Sequence, residues 1–553
     1  MEEGSTSYEL FEAQPTQRAM IVLRTAGPLI LAIAGSALTP LPCAFSLTGV
    51  GVGTVVLLLI GIANLYTTVL MARAAARCGT SGYEEVIERA GGPVARRYCQ
   101  AALFVLLFGS SCTCLSVIQE TGVRAVAELA LHVQEGSSLL VWIASTPSGN
   151  ATLISTLTAL LLLPLSLASM GELLIVSLLG VMMMLILCAY VLWLAFELPA
   201  VYTDERFARH LAGQAASTAE PSTLFSSSGI STAASTFGYA FYIQPCALPL
   251  LRTLPKDDLG ADLLADALYV TFAFTAAAYL VVGLGGLSIF GQGHVPQDLL
   301  QGFQGRVGGM LSGFFCLYLC LCFPPIVVPL REVLVRLWRR QHAAGTQMQS
   351  CDSLPMSARL PLVEGEAAVT TRVEGDSSPE VVVVRRGNEA ANGVDDSAAD
   401  ASTLPPMANA LLTAALVGCA LLVALWLPDA SSTLFALTGA TGVCAISYLF
   451  PIYAYWNLSE ADGGVAVRHV HTSHDGRAKA RWRHQQRGLW RALTAAVRLL
   501  IQRVWPATVL LLGVSMSALT LIAVVGGADG SSTSAAVCAT GSELVEMLHV
   551  MHE

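Results

Sequence analysis

The chain has 553 residues, of which 54% are hydrophobic and only 12% are charged, and its formal net charge is −9. A soluble domain carries about 25% charged residues, so this composition excludes an ordinary soluble protein and predicts a polytopic membrane protein. The charged residues fall in loops and tails, and they indicate no surface for nucleic acid. The acidic N-terminus does not resemble a cleaved signal peptide, so we expect the first apolar segment to remain in the protein.

Windows of about 20 apolar residues, the length needed to cross a bilayer, predict eleven transmembrane helices and an all-α fold. The windows lie near residues 23–45, 50–72, 98–123, 151–168, 172–196, 228–250, 263–290, 307–330, 406–427, 431–455 and 504–527.

The distribution of lysine and arginine predicts the orientation. Most of them fall in segments that share one side of the membrane with the N-terminus, so we expect a cytoplasmic N-terminus. The predicted segments outside the membrane are a cytoplasmic tail at 1–22, a disordered cytoplasmic insert at 341–405, a basic cytoplasmic loop at 456–503 and a non-cytoplasmic tail at 528–553. This pattern does not distinguish a plasma membrane from a vacuolar or lysosomal membrane.

Two of the predicted spans carry the same interruption. The triplet Gly35-Ser36-Ala37 precedes Pro40 and Pro42, and the triplet Gly238-Tyr239-Ala240 precedes Pro245 and Pro249. A helix broken inside the membrane exposes N–H and C=O groups that lipid cannot satisfy, so each break must face protein, water or a ligand. Paired breaks of this kind are typical of a transport site. The alternative is that glycine and proline only kink the two helices.

Both interrupted spans are electrically neutral, since no charged residue lies within 25–72 or 221–251, and 307–330 is uncharged as well. Main-chain dipoles must then bind any charged ligand: N–H groups at the first interruption would hold a carboxylate, and carbonyls at the second would accept from an ammonium group. These requirements suit a zwitterionic amino acid, and a neutral one is favoured because the walls hold no acidic residue. The predicted substrate-binding residues are Gly35, Ser36, Ala37, Leu38, Thr236, Phe237, Gly238 and Tyr239. The substrate side chain would meet Tyr239, Tyr242, Ile118, Cys114 and residues near Leu317.

The spans lack the parts of an enzyme. All ten histidines lie outside the predicted hydrocarbon regions, and neither a nucleophile elbow nor an intramembrane carboxylate pair is present, so we expect no catalytic residues, no metal site and no cofactor. The predicted outer surface offers only Cys538, so no extracellular disulfide is proposed. Glu120 is the one acidic residue clearly within a span and is the candidate for proton coupling. The alternative is a carboxylate near the outer edge that pairs with Arg124.

The run from Gly35 to Phe45 resembles the Gly-x-Gly-x-Leu-x-Leu-Pro-x-Ala-Phe signature of the amino acid/auxin permease family, with Ala37 in place of the second glycine. Further matches follow in chain order at 66–67, 81–85, 117–120, 163–167, 283–291 and 423–442. The resemblance implies a leucine-transporter-like fold, in which spans 1 to 5 (23–196) and spans 6 to 10 (228–455) form an inverted repeat and one helix follows. It also implies symport of amino acids with protons or sodium.

One branch of that family couples transport to sodium, and this chain departs from it. The branch has an asparagine where this chain has Leu31, and a Thr-x-Thr where this chain has Cys320 and Cys322. Sodium prefers oxygen ligands to thiols, so we expect a proton-coupled or facilitative transporter. Two alternatives stay open: the cargo is a cationic amino acid, a polyamine or another small organic acid, or the protein is a transporter-like amino acid sensor.

Overall fold

The computed structural model describes residues 15–132, 138–168, 174–201, 227–255, 258–291, 295–296, 298–303, 305–352, 406–426, 434, 437–463 and parts of 504–518. Within these ranges the chain is helical and contains no strand. It forms two compact units, one made of residues 1–330 with 413–553 and the other of residues 331–412.

Most of the described ranges form the α-helices named below. The first eight are α1 (Pro15–Ala34), α2 (Leu41–Thr48), α3 (Val50–Arg77), α4 (Tyr83–His132), α5 (Ser138–Ser145), α6 (Pro147–Leu157), α7 (Leu163–Leu167) and α8 (Leu174–Val201). The others are α9 (Ser227–Ala240), α10 (Gln244–Ala247), α11 (Asp258–Phe290), α12 (Gly305–Cys322), α13 (Pro324–Asp352), α14 (Pro406–Trp426) and α15 (Phe450–Gly463). Helix α4 is interrupted by a kink at Gly92, whose backbone is not helical (φ 75°, ψ −173°). Short 3₁₀ turns lie at Ser36–Leu38, Leu248–Thr253 and Leu299–Gly302, and π-helical segments at Thr158–Leu162 and Gly439–Leu449.

Eight helical stretches among the described residues are long and apolar enough to cross a membrane. They are Thr16–Ala34, Val50–Arg77, Tyr83–Leu131, Pro147–Leu167, Ile175–Glu197, Leu259–Phe290, Gly305–Trp338 and Met407–Trp426. The predicted window 228–250 is missing from this set because a break ends α9 after 14 residues. The windows 431–455 and 504–527 are missing as well, and both include residues outside the described ranges, so the count of eleven stays a prediction.

The helix ends differ from the predicted boundaries. Helix α1 begins at Pro15, inside the predicted tail 1–22, and α13 continues to Asp352, inside the predicted insert 341–405. The remainder of that insert lies outside the described residues.

Helix α11 packs against α1, α2, α3 and α8 and so lies at the centre of the first unit. Its close approach to α2 depends on two glycines: a Cβ at Gly283 would overlap the ring of Phe45, and a Cβ at Gly286 would overlap Pro42. Small residues of this kind let helix backbones approach each other closely in membrane proteins. The packing places α11 directly beside the first interrupted helix.

Candidate functional site

Both predicted interruptions are breaks in the structure. Helix α1 ends at Ala34, and Gly35 has a non-helical backbone (φ −37°, ψ −128°). A short 3₁₀ turn follows, and α2 begins at Leu41 with Pro42 as its second residue. We call residues 35–40 the first break.

The second break consists of residues 241–243, between the end of α9 and the start of α10. Helix α10 begins at Gln244 with Pro245 as its second residue, so each interrupted helix restarts one residue before its matching proline. Proline is tolerated there because the first turn of a helix needs no N–H donor. The second break therefore lies later than the sequence analysis placed it, since Gly238 is still helical.

A cluster of hydroxyl groups joins the two breaks. The Tyr239 side chain lies close to Ser36 in the first break, Ser110 of α4 and Tyr242 in the second break. The rings of Tyr239 and Tyr242 lie 5.2 Å apart, and Ser110 also donates to the Leu106 carbonyl at 2.7 Å. All of the cluster is buried. Ser110 was not among the predicted residues, because nothing in its local sequence distinguishes it from other small residues of α4.

Ala37 and Leu38 are buried with Ser36 in the turn of the first break, which contacts α9. On α9 the predicted residues differ in surroundings. Phe237 packs against Phe45 of α2, with ring centroids 5.4 Å apart. Thr236 is only partly buried, and its hydroxyl donates to the Thr232 carbonyl of its own helix at 3.1 Å.

Gly238 is buried, yet a Cβ built on it would find no atom within 4 Å, so this glycine adjoins open space inside the protein. A Cβ on Gly35 would meet only the Cβ of Cys322, at 3.7 Å. The structure thus leaves room beside both predicted glycines.

The expected apolar wall is partly present. Cys114 of α4 is buried near Tyr239, and the carbonyl of Ile118 accepts a hydrogen bond from the Cys316 thiol of α12 at 3.7 Å. Leu317, in contrast, is 49% exposed, so its side chain does not line this wall as expected. Among the described residues, no cluster of three or more His, Cys, Asp or Glu side chains is placed to hold a metal ion.

A second buried polar cluster lies where α10 begins, and the sequence analysis missed it. The Asn64 side chain of α3 donates to the Tyr448 hydroxyl at 2.8 Å, and Gln244 donates to the Asn64 side-chain oxygen at 3.4 Å. The Gln244 side-chain oxygen accepts from Ser447 at 2.9 Å and from the Ile243 N–H at 3.1 Å. These bonds tie the second break to α3 and to the π-helical segment. The available signal was a glutamine beside a proline in an otherwise apolar span.

Glu120 lies partly buried on α4. The proposed alternative partner Arg124 lies near Asp298, where its charge favours the ionised carboxylate. Asp298 is thus an acidic group close to Arg124, and the sequence analysis did not select it.

Asp298 connects to the first break through the turn Leu299–Gly302. Its carboxylate accepts from the Leu300 N–H at 2.9 Å, and the neighbouring Leu299 N–H donates to the Thr39 carbonyl at 3.0 Å. Burial raises the pKa of the Asp298 carboxyl above its usual value, because desolvation outweighs the opposing effects of the Leu300 N–H and Arg124.

The raised pKa of Asp298 gives a pH-dependent prediction. A group whose pKa is higher in the folded than in the unfolded protein stabilises the fold below its ordinary pKa, near 3.8, and this stabilisation is lost as the pH rises through the folded value. Asp298→Asn, which is neutral at every pH, should therefore raise the melting temperature at pH 7 and match the unsubstituted protein below about pH 3.8. Scanning fluorimetry across this range measures the difference. A lower melting temperature for the variant at pH 7 would contradict the assignment.

A sequence model described as "transmembrane amino acid transporter protein" matches residues 20–472. No curated protein sequence matches. Among solved structures, a manganese transporter mutant of Eremococcus coleocola is 11% identical with a TM-score of 0.37, and the alignment covers 92% of this chain and 96% of that one. The same transporter in complex with an aromatic bis-isothiourea substituted compound is 12% identical, with the same coverage and TM-score.

Likenesses to solved structures at this TM-score support no conclusion about this chain. The family match is of a different kind, because it extends over most of the sequence and includes both interrupted helices. Together with the apolar helices, it shows an integral, multi-pass membrane protein of a transporter family rather than of an enzyme class. The chain belongs to the transmembrane amino acid transporter protein family.

Proposed function

We propose that this protein carries neutral α-amino acids across the membrane and binds them between its two helix breaks. The observation that carries the proposal is the open space beside Gly238, buried where two broken helices meet in an uncharged region. Membrane proteins retain non-helical backbone at this depth where it lines a cavity or is covered by protein. The family membership supports a small-molecule substrate.

The helix ends supply the charges that such a substrate needs. The N-terminus of α2 is the positive end of a helix dipole and suits the substrate carboxylate, with the hydroxyls of Ser36 and Tyr239 as further donors. Helices α1 and α9 direct their negative C-terminal ends at the breaks and suit the ammonium group. A zwitterion would thus be held at both ends without a charged side chain.

The side-chain preference follows from the walls. Cys114 and Ile118 are buried and apolar, and segments 25–72, 221–251 and 307–330 contain no charged residue. A cationic side chain placed here would lack a carboxylate partner, which is costly in a low-dielectric interior. A neutral side chain incurs no such cost.

The proposed architecture has eleven spans, with residues 23–196 and 228–455 as the two halves of an inverted repeat and the N-terminus in the cytoplasm. The matched restarts at Pro42 and Pro245 support a repeat, because both halves break at equivalent positions of their first span. The basic residues on one predicted side support the orientation.

We propose that protons rather than sodium ions drive transport, with Glu120 as the group that takes up and releases the proton. A partly buried carboxylate on a membrane helix is a functional candidate. Glu120→Gln should abolish accumulation driven by a pH gradient and leave exchange of internal for external amino acid intact. Unchanged pH dependence in this variant would reject the role, and Glu128→Gln on the same helix is the matched control.

The whole proposal is tested by uptake of labelled amino acids into proteoliposomes. The panel should contain neutral, cationic and acidic amino acids and a polyamine, with pH and sodium gradients imposed separately. Uptake of neutral amino acids that responds to the pH gradient and not to sodium is expected. Uptake of the polyamine or of cationic amino acids alone would assign a different cargo to the same site.

A further inference from the structure

One side chain contacts both broken helices at once. The hydroxyl of Tyr279, on α11, lies 2.9 Å from the main-chain carbonyl of Ile33 and 2.7 Å from that of Ala240. Ile33 belongs to the last turn of α1, and Ala240 is the last residue of α9. Tyr279 is buried, so water does not replace either contact.

The two carbonyls are the kind of group that needs a partner. The last four carbonyls of a helix have no partner within the helix, and together they form the negative end of its dipole. Two such ends repel each other, and a buried carbonyl without a donor is costly. A hydroxyl placed between them donates its single proton to both oxygens in alternation or as a shared bond, and so keeps the two helix ends together.

The ring of Tyr279 is fixed in place from the side of the second break. Phe241, the first residue after α9, packs edge-on against the ring, with centroids 5.1 Å apart. Helix α11 itself is held against α2 through Gly283 and Gly286. The hydroxyl is thus positioned by contacts that do not depend on its own hydrogen bonds.

We propose that Tyr279 is a positioning residue that couples the two breaks and sets the distance between the two negative helix ends. Its effect on transport rests on the proposed function, since those helix ends are where the substrate ammonium group would bind. Its effect on the structure of the two breaks does not depend on the proposed function. The two consequences can therefore be measured separately.

The test uses Tyr279→Phe, which removes the hydroxyl and retains the ring. Tyr318→Phe is the matched control: Tyr318 is an equally buried tyrosine on α12, and its hydroxyl donates to no main-chain carbonyl among the described residues. Both full-length variants are reconstituted in nanodiscs, and amide hydrogen exchange is measured without substrate. In Tyr279→Phe, peptides that cover residues 33–40 and 238–246 should exchange about tenfold faster, the effect expected from losing one buried hydrogen bond.

Faster exchange at both breaks in Tyr279→Phe, with no change in Tyr318→Phe, supports the coupling. Faster exchange at one break only, or at neither, overturns it. In proteoliposomes, Tyr279→Phe should raise the KM for a neutral amino acid about tenfold with little change in maximal rate, because the ground-state geometry of the site is disturbed. If both breaks loosen but the unsubstituted protein transports no amino acid, the coupling stands and the proposed function fails.

Discussion

Gly238→Val is expected to abolish amino acid uptake while the protein still folds and reaches the membrane. Gly238 lies inside α9, where the backbone is helical, so valine can adopt the same conformation. A Cβ at this position meets no atom within 4 Å, so the substitution overlaps no neighbour at its first carbon. The added volume enters the space that the proposed substrate occupies.

A graded series makes this prediction sharper. Gly238→Ala adds one carbon and should raise the KM about tenfold, and the two further carbons of valine should lower uptake by more than about 100-fold, because each methyl group that a pocket must accommodate changes specificity by about 10- to 200-fold. The effect should be larger for leucine than for glycine or alanine as substrate. Such a dependence on substrate size is not expected from a general loss of stability.

The control variant is Gly418→Val on α14. A Cβ at Gly418 also meets no atom within 4 Å, but Gly418 is partly exposed whereas Gly238 is buried. This variant should transport normally. Surface labelling and thermal stability in detergent measure folding, and initial rates of labelled uptake measure function. Normal uptake by Gly238→Val would remove the open space from the proposed site.

The chemistry of proline made the break positions predictable from the sequence. Pro42 and Pro245 each mark the second residue of a restarted helix, because proline is compatible with the first turn and incompatible with a helix interior. The matched glycine triplets predicted the position of each break less exactly than the prolines did. Gly35 lies in the first break, whereas Gly238 is still helical. Proline restricts the backbone at its own position. Glycine only permits a break, and tertiary packing determines the residue at which the helix ends.

Contacts between distant segments were beyond the sequence analysis. Tyr279 bonds to carbonyls 246 and 39 residues away in sequence, and Gln244 bonds to Asn64 across 180 residues. No local pattern specifies such pairs. The exposure of Leu317 was not predicted either. Its neighbours on α12 are buried, but the helical period turns the Leu317 side chain outward.

Asn64→Leu is expected to lower the free energy of unfolding by about 2 kcal/mol and to reduce transport severely. Leucine has the same number and branching of side-chain heavy atoms as asparagine, so little packing is lost. The buried Gln244 amide would lose the acceptor of its hydrogen bond, and the buried Tyr448 hydroxyl would lose the donor of its own. A buried polar group without its partner costs about 1–3 kcal/mol, and the more favourable burial of leucine offsets only part of this.

The transport defect follows from the position of this cluster. Gln244 is the first residue of α10 and accepts the N–H of Ile243 in the second break, so a loosened Gln244 side chain leaves that break less constrained. Ser447 and Tyr448 belong to the π-helical segment Gly439–Leu449, a type of irregular helix found often at functional sites. The cluster therefore connects the second break to a π-helical element.

A double-mutant cycle with Tyr448→Phe separates this network from simple loss of stability. Because Asn64 and Tyr448 share a hydrogen bond at 2.8 Å, the second substitution should cost much less in the Asn64→Leu background than alone, with a coupling energy of about 1 kcal/mol in unfolding experiments. Asn457→Leu is the control, since its amide donates to the Tyr453 carbonyl of its own helix and to no other group among the described residues, and it should change stability by less than about 0.5 kcal/mol. If the effects of Asn64→Leu and Tyr448→Phe on stability simply add, the polar cluster does not act as a unit. The packing of α10 alone would then have to stabilise the second break.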